Sequence, residues 1–81
     1  MTKVKICGIT NYEDAANAAI LGADYIGFNF YKSGPRYIDE PEVKKIMEKM
    51  PNSVKKVGVF VNEDVGTIKR IVKDLNLDII Q

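Results

Sequence analysis

Histidine is absent from this chain of 81 residues, and cysteine appears once. Without histidine, the chain cannot hold a serine–histidine or cysteine–histidine catalytic pair, or a Cys/His metal site. A single cysteine excludes an internal disulfide and fits a reducing cytoplasm. Tryptophan is absent too, and no apolar run approaches the ~18–20 residues that span a bilayer. Net charge is small: 12 basic residues against 11 acidic ones leave +1, and the lysines alternate with the acids. That balance gives no electrostatic basis for binding nucleic acid or an acidic membrane. The N-terminus has no apolar core of a signal peptide. The remaining composition, 46% hydrophobic and 28% charged, is ordinary for a soluble globular protein. At this length the chain is one small domain or part of a larger one.

Strand and helix signals alternate almost from the first residue. Val4–Cys7 reads as a strand. Thr10 then caps a helix, and Glu13 three residues later closes a capping box. Ala15, Ala16, Ala18, Ala19 and Ile20 belong to that helix, and Gly22 stops it. Tyr25–Phe30 is the second strand, followed by a loop with Ser33-Gly34-Pro35-Arg36. Asp39 and Glu42 form a second cap and box. Val43, Ile46, Met47 and Met50 then fall on one helical stripe, which Pro51-Asn52 ends. Lys56–Val61 is the third strand, and Asn62 caps a third helix with the stripe Val65, Ile68, Ile71, Val72 and Leu75. Asn76 suits a left-handed C-terminal position, and Leu77–Gln81 is the fourth strand. Four strands alternating with three helices imply a parallel sheet with right-handed crossovers. The strand–helix unit repeats, though without strong residue identity between copies.

An open doubly wound sheet and a β/α barrel share this alternation. Inner strands of the open sheet need two apolar faces, whereas barrel strands face helices on one side and a lumen on the other. With a period of two, one strand face gathers Val4, Ile6, Ile26, Phe28, Phe30, Val57, Val59, Val61 and Ile80. The other gathers Lys5, Cys7, Gly27, Asn29, Gly58, Phe60, Ile79 and Gln81. The second set is small or polar with two apolar exceptions, which suits a lumen better than a layer of helices. The pattern therefore favours a TIM (β/α)8 barrel, of which residues 1–81 form a single partial domain with about four of eight strands. A one-residue slip in any strand would exchange its faces.

The chemistry-bearing stretch is Lys5-Ile6-Cys7-Gly8-Ile9-Thr10. It brings the only thiol to the end of a strand, just before a helix start whose positive end favours an anion. The residues alone leave two readings open for Cys7: a thiolate for chemistry, or a buried structural cysteine. A receiver-type site would want acids where Lys5 and Cys7 stand. A nucleotide site would want a glycine-rich turn richer than Cys7-Gly8-Ile9-Thr10.

Four motifs carry a resemblance: Lys5–Thr10, Gly22-Ala23-Asp24-Tyr25-Ile26-Gly27-Phe28, Pro35-Arg36-Tyr37-Ile38 and Val57-Gly58-Val59-Phe60-Val61-Asn62. In order and spacing the chain resembles the phosphoribosylanthranilate isomerases of tryptophan biosynthesis. The resemblance implies that the chain is the N-terminal half of a TIM (β/α)8 barrel, and that the whole barrel performs an Amadori rearrangement of an aldosylamine to an aminoketose, with no metal or organic cofactor. It implies Cys7 as the base that takes a proton from the sugar carbon next to the imine. It implies Arg36 as the group that grips the anthranilate carboxylate, where the residues alone favour a solvated loop arginine. Gln81, at the lumen side of the fourth strand, is expected to border the substrate. The family's general acid, an aspartate on a later strand, and its phosphate site in the last strand–helix loops would lie beyond residue 81. Asp14, Asp39 and Asp64 read instead as helix-start residues, and Asp24, Asp74 and Asp78 as outside the mouth. The expected partners are the small phosphosugar substrate and either the missing C-terminal half or a second copy paired through open sheet edges. Alone, the chain is expected to be inactive.

Overall fold

The computed structural model describes residues 3–51 and 53–81. Its elements run β1 (Lys5–Ile6), α1 (Tyr12–Ile20), β2 (Tyr25–Asn29), α2 (Glu40–Glu48), β3 (Lys55–Val59), α3 (Val65–Leu75) and β4 (Ile79–Ile80). The four strands form one parallel sheet in the order β1-β2-β3-β4. All seven expected elements are present; strand ends fall up to two residues short of the pattern, except that β3 starts one residue earlier, at Lys55. Asn52, half of the expected stop after α2, lies outside the described residues.

Two of the three helix starts differ from expectation. α1 is capped by Asn11, not Thr10: the Asn11 side chain accepts from the Asp14 amide at 2.8 Å and donates to the Asp14 carboxylate at 3.0 Å. Asp14 thus takes the place expected for Glu13. α3 is capped by Asp64, which accepts from the Thr67 amide. Asn62 instead sits at φ +52, in the turn that precedes the cap. The shift leaves Val65, expected on the buried stripe, 64% exposed. α2 starts as read, with Asp39 accepting from the Glu42 amide at 3.1 Å.

The register corrects the expected face of the third strand. Gly27 pairs with Val57 and Phe28 with Gly58, so Val57 and Val59 share the face of Gly27 and Asn29. Lys56, Gly58 and Phe60 stand on the helix side with Ile26, Phe28 and Phe30. The Phe60 ring stacks on Phe30 with centroids 5.2 Å apart. Packing room explains the choice. A β-carbon at residue 58 would stand 2.7 Å from the Leu77 side chain and 2.9 Å from the Phe60 ring. Only glycine admits both against the sheet at that point. The apolar core beneath the helices comprises Ile26, Phe28, Val43, Ile46, Ile71, Leu75 and their neighbours; Val57 is buried but stands apart from that cluster.

Lys56 is the one buried charged residue recorded among the described residues. Its ammonium reaches the Pro51 carbonyl at 3.0 Å. Burial holds its pKa below the ordinary lysine value, and the nearby Asp78 carboxylate partly opposes that.

The same joint enters β2 and β4. Gly22 (φ +85) ends α1 and Asn76 (φ +55) ends α3, both left-handed. The next residue, Ala23 or Leu77, is buried and donates its amide to a helix carbonyl, Ala18 at 3.0 Å or Val72 at 3.1 Å. An aspartate follows. Asp24 accepts from the Val4 amide and Asp78 from the Lys56 amide, each at 2.8 Å. Each carboxylate therefore locks the start of its own strand to the strand before it. Asp24 and Asp78 lie at the N-terminal edge of the sheet, away from the site described next.

Candidate active site at the carboxyl ends of β1 and β2

Cys7 leaves β1 on the face of Lys5 and lies against β2: a β-carbon on Gly27 would stand 3.2 Å from its sulfur. The thiol is exposed. Gly8 then turns the chain at φ +76. Ile9 follows, buried, with its amide on the Gly27 carbonyl at 3.1 Å. β1 on one side and the anchored Ile9 on the other fix the backbone around the sulfur.

Arg36 arrives from the loop between β2 and α2. Asn29, the last residue of β2, organises that loop. Its side chain accepts from the Tyr31 amide at 2.9 Å, and its carbonyl accepts from the Ile38 amide at 3.1 Å. Gly34 and Tyr31 close a turn inside, with the Gly34 amide on the Tyr31 carbonyl at 2.9 Å. The loop folds back so that the arginine side chain crosses Gly8.

Cys7 and Arg36 consequently line one open cavity of about 480 Å³, with Gly8, Thr10, Pro35 and Asp14 beside them. It extends along α1 to Asn17 and Leu21. Gln81 does not line it. That residue follows β4, where its amide donates to the Gly58 carbonyl at 2.8 Å and its carbonyl accepts from Phe60. It borders the far end of the same sheet. The structure thus brings Cys7 and Arg36 to one cavity and leaves Gln81 apart, and Asn29, expected only as a lumen residue, ties the loop that carries Arg36. The only sequence signal for Asn29 is a polar residue ending a strand before a Gly-Pro loop.

The cavity thus holds an exposed thiol together with a guanidinium, a planar cation of the kind that pairs with carboxylates. No group of three or more His, Cys, Asp or Glu side chains is placed to hold a metal ion among the described residues. A larger groove of about 880 Å³ lies between α2 and α3 and contains neither Cys7 nor Arg36. There Arg70 makes a two-pronged pair with Glu40 at 2.8 and 3.1 Å and also reaches Asp74 at 3.3 Å. The guanidinium beside Glu40 holds its carboxyl below the usual carboxylate range.

With this geometry in place, residues 4–81 match the family model described as N-(5'phosphoribosyl)anthranilate (PRA) isomerase. The chain belongs to the phosphoribosylanthranilate isomerase family. The isomerase of Sulfurovum sp. strain NBC37-1 is 46% identical over 79 residues, which are 98% of this chain and 40% of that relative. The crystal structure of the isomerase from Thermotoga maritima superposes with a TM-score of 0.97 at 43% identity, covering all of this chain and 40% of that one. A phosphoribosylanthranilate isomerase in complex with reduced 1-(o-carboxyphenylamino)-1-deoxyribulose 5-phosphate also gives 0.97 at 43% identity, with 100% and 42% covered. The fold is thus that of the isomerase β/α barrel, and the chain spans about 40% of the length of the curated relatives it matches. No helix among the described residues is long and apolar enough to cross a membrane.

Proposed function

We propose that this chain supplies the base and the carboxylate grip of an Amadori rearrangement of N-(5-phosphoribosyl)anthranilate to its aminoketose. The remaining strands of the barrel supply the acid and the phosphate site. In the reaction, the acid donates a proton to the ring oxygen as the bond from that oxygen to C1 breaks, and the nitrogen lone pair forms the cationic imine. The Cys7 thiolate removes the proton on C2. The electrons left on C2 form a double bond to C1, and the imine pair returns to nitrogen. The resulting enol-amine becomes the ketone when C1 gains a proton and the C2 hydroxyl loses one. Arg36 holds the anthranilate carboxylate with two parallel hydrogen bonds, and Gln81 borders the sugar from the far strand. The free thiol supports a reducing cytoplasm as the setting for this chemistry.

The observation that carries this reading is the shared cavity: sulfur and guanidinium come from different elements and converge on one opening. The test is turnover by the 81-residue chain, first alone and then with a separately expressed segment carrying the later strands. Absence of the acid alone costs ~10²–10⁴ in rate. The chain alone should therefore be at or near background, and the mixture clearly above it. Full turnover by the pure chain would overturn the assignment of the acid to other strands. Undiminished turnover of the mixture after Cys7 alkylation would remove the thiol from the base role.

A second reading concerns assembly. β1 and β4 each have one strand neighbour among the described residues, and Val4, Ile79 and Ile80 are exposed at these edges. Such edges support pairing with the later strands or with a second copy of this chain.

A further inference from the structure

We infer that Gly8 is the positioning residue for Arg36: the bare backbone of residue 8 is the seat on which the arginine side chain lies, and this seat aims the guanidinium into the cavity it shares with Cys7. The inference rests on the reading of Arg36 as the carboxylate grip. A β-carbon added at residue 8 would stand 2.5 Å from the Arg36 Cδ, 2.9 Å from Nη1 and 3.4 Å from Nε. Carbon atoms do not approach so closely, so any side chain at residue 8 displaces the arginine. The displaced atoms belong to the far end of a flexible chain, with solvent to move into. An Arg36 side chain pushed off residue 8 therefore swings away and leaves the strand in place. The backbone of Gly8 is itself left-handed, at φ +76, so a β-carbon there also adds local strain. The two effects have different readouts. Strain lowers stability, whereas loss of the seat changes the charge felt at the sulfur.

The chain itself carries the test, because Cys7 is the only thiol and is exposed. Its alkylation rates with iodoacetate and iodoacetamide differ in one negative charge on the reagent. Their ratio reports the local positive charge, and changes in exposure or thiolate fraction cancel. Lys5 on the same strand face and Asp14 on the cavity wall contribute a constant background in every variant. A cation about 4–6 Å away favours the anionic reagent by about three- to fivefold at low ionic strength, and by less at greater distance. Arg36→Ala should lower the iodoacetate preference by up to that factor, and Gly8→Ala should lower it equally while Arg36 is still present. In the unmodified chain, nuclear Overhauser contacts should join the Gly8 Hα protons to the Arg36 Hδ protons.

A folded Gly8→Ala variant that keeps the full preference, alongside an Arg36→Ala variant that loses it, overturns the seat and leaves Arg36 as the anion grip. An unchanged ratio in Arg36→Ala overturns the grip itself, and with it the role assigned to Gly8. If Gly8→Ala does not fold, the Overhauser contacts decide: their presence supports the seat and their absence overturns it.

Discussion

Asn29 shows how much one side chain can organise here. Its carboxamide accepts the Tyr31 amide and its carbonyl accepts the Ile38 amide, so the loop bearing Arg36 is tied at both ends to a single residue. Asn29→Ala should cost about 0.5–1.5 kcal/mol in urea unfolding. It should also accelerate hydrogen exchange at Tyr31 while leaving Leu75 protected. At this scale Cys7 stood out as a lone thiol at a strand end, and Arg36 only through the family resemblance. The roles proposed for Gly8 and Asn29 lie in contacts with a loop, of which the sequence shows no more than a polar residue ending a strand before Gly-Pro. Nothing in Cys7-Gly8-Ile9 states that an arginine 28 positions later will cross the glycine. Only the fold brings the two together.

Among the elements, alternation and the Asp39 cap were readable, and the errors fall where two local solutions compete. Asn11 and Thr10 can both cap, and Asn11 wins because Asp14 satisfies its amide in return. In β3 the alternating valines imitate a helix-packing face. Leu77 and Phe60 nevertheless need the space that Gly58 leaves, so the valines turn the other way. The aspartates entering β2 and β4 carry more of the fold than the pattern showed. Asp24→Ala and Asp78→Ala should each cost about 1–2 kcal/mol, seen as a lower urea midpoint with an unchanged slope. Alkylation of Cys7 should be unaffected, since both carboxylates sit at the opposite edge of the sheet. Between α2 and α3, the Glu40–Arg70 pair sets a pH dependence. Glu40 has its folded pKa lowered below 4.5, first by the hydrogen bonds from Arg70 and also by its charge. Its contribution is therefore fully present above 4.5 and is lost as pH falls through the lower folded value. Glu40→Gln should flatten acid unfolding in that window, and high salt should reduce the difference. Equal acid midpoints for the two proteins would contradict this.

For the whole molecule, a parallel sheet with its apolar core on one side was recoverable from alternation, whereas the order β1-β2-β3-β4 was not. What covers the free edges of β1 and β4 was not, because edge pairing depends on atoms outside the strands themselves. The apolar edge residues Val4, Ile79 and Ile80 lead to a definite expectation. Sedimentation should show the pure chain associating as concentration rises, and addition of the later strands should replace those self-complexes with a one-to-one pair. A monomer at every concentration, indifferent to the added segment, would contradict both forms of edge pairing.

The joint at the entrances to β2 and β4 has one further consequence. Because the same left-handed residue, apolar plug and aspartate clasp close both β–α–β blocks from below, the segment is bipartite: two quarter-cylinders cut to one plan. Each is fastened at its floor, so the side chains of Cys7 and Arg36 at the rim can change without loosening the masonry underneath.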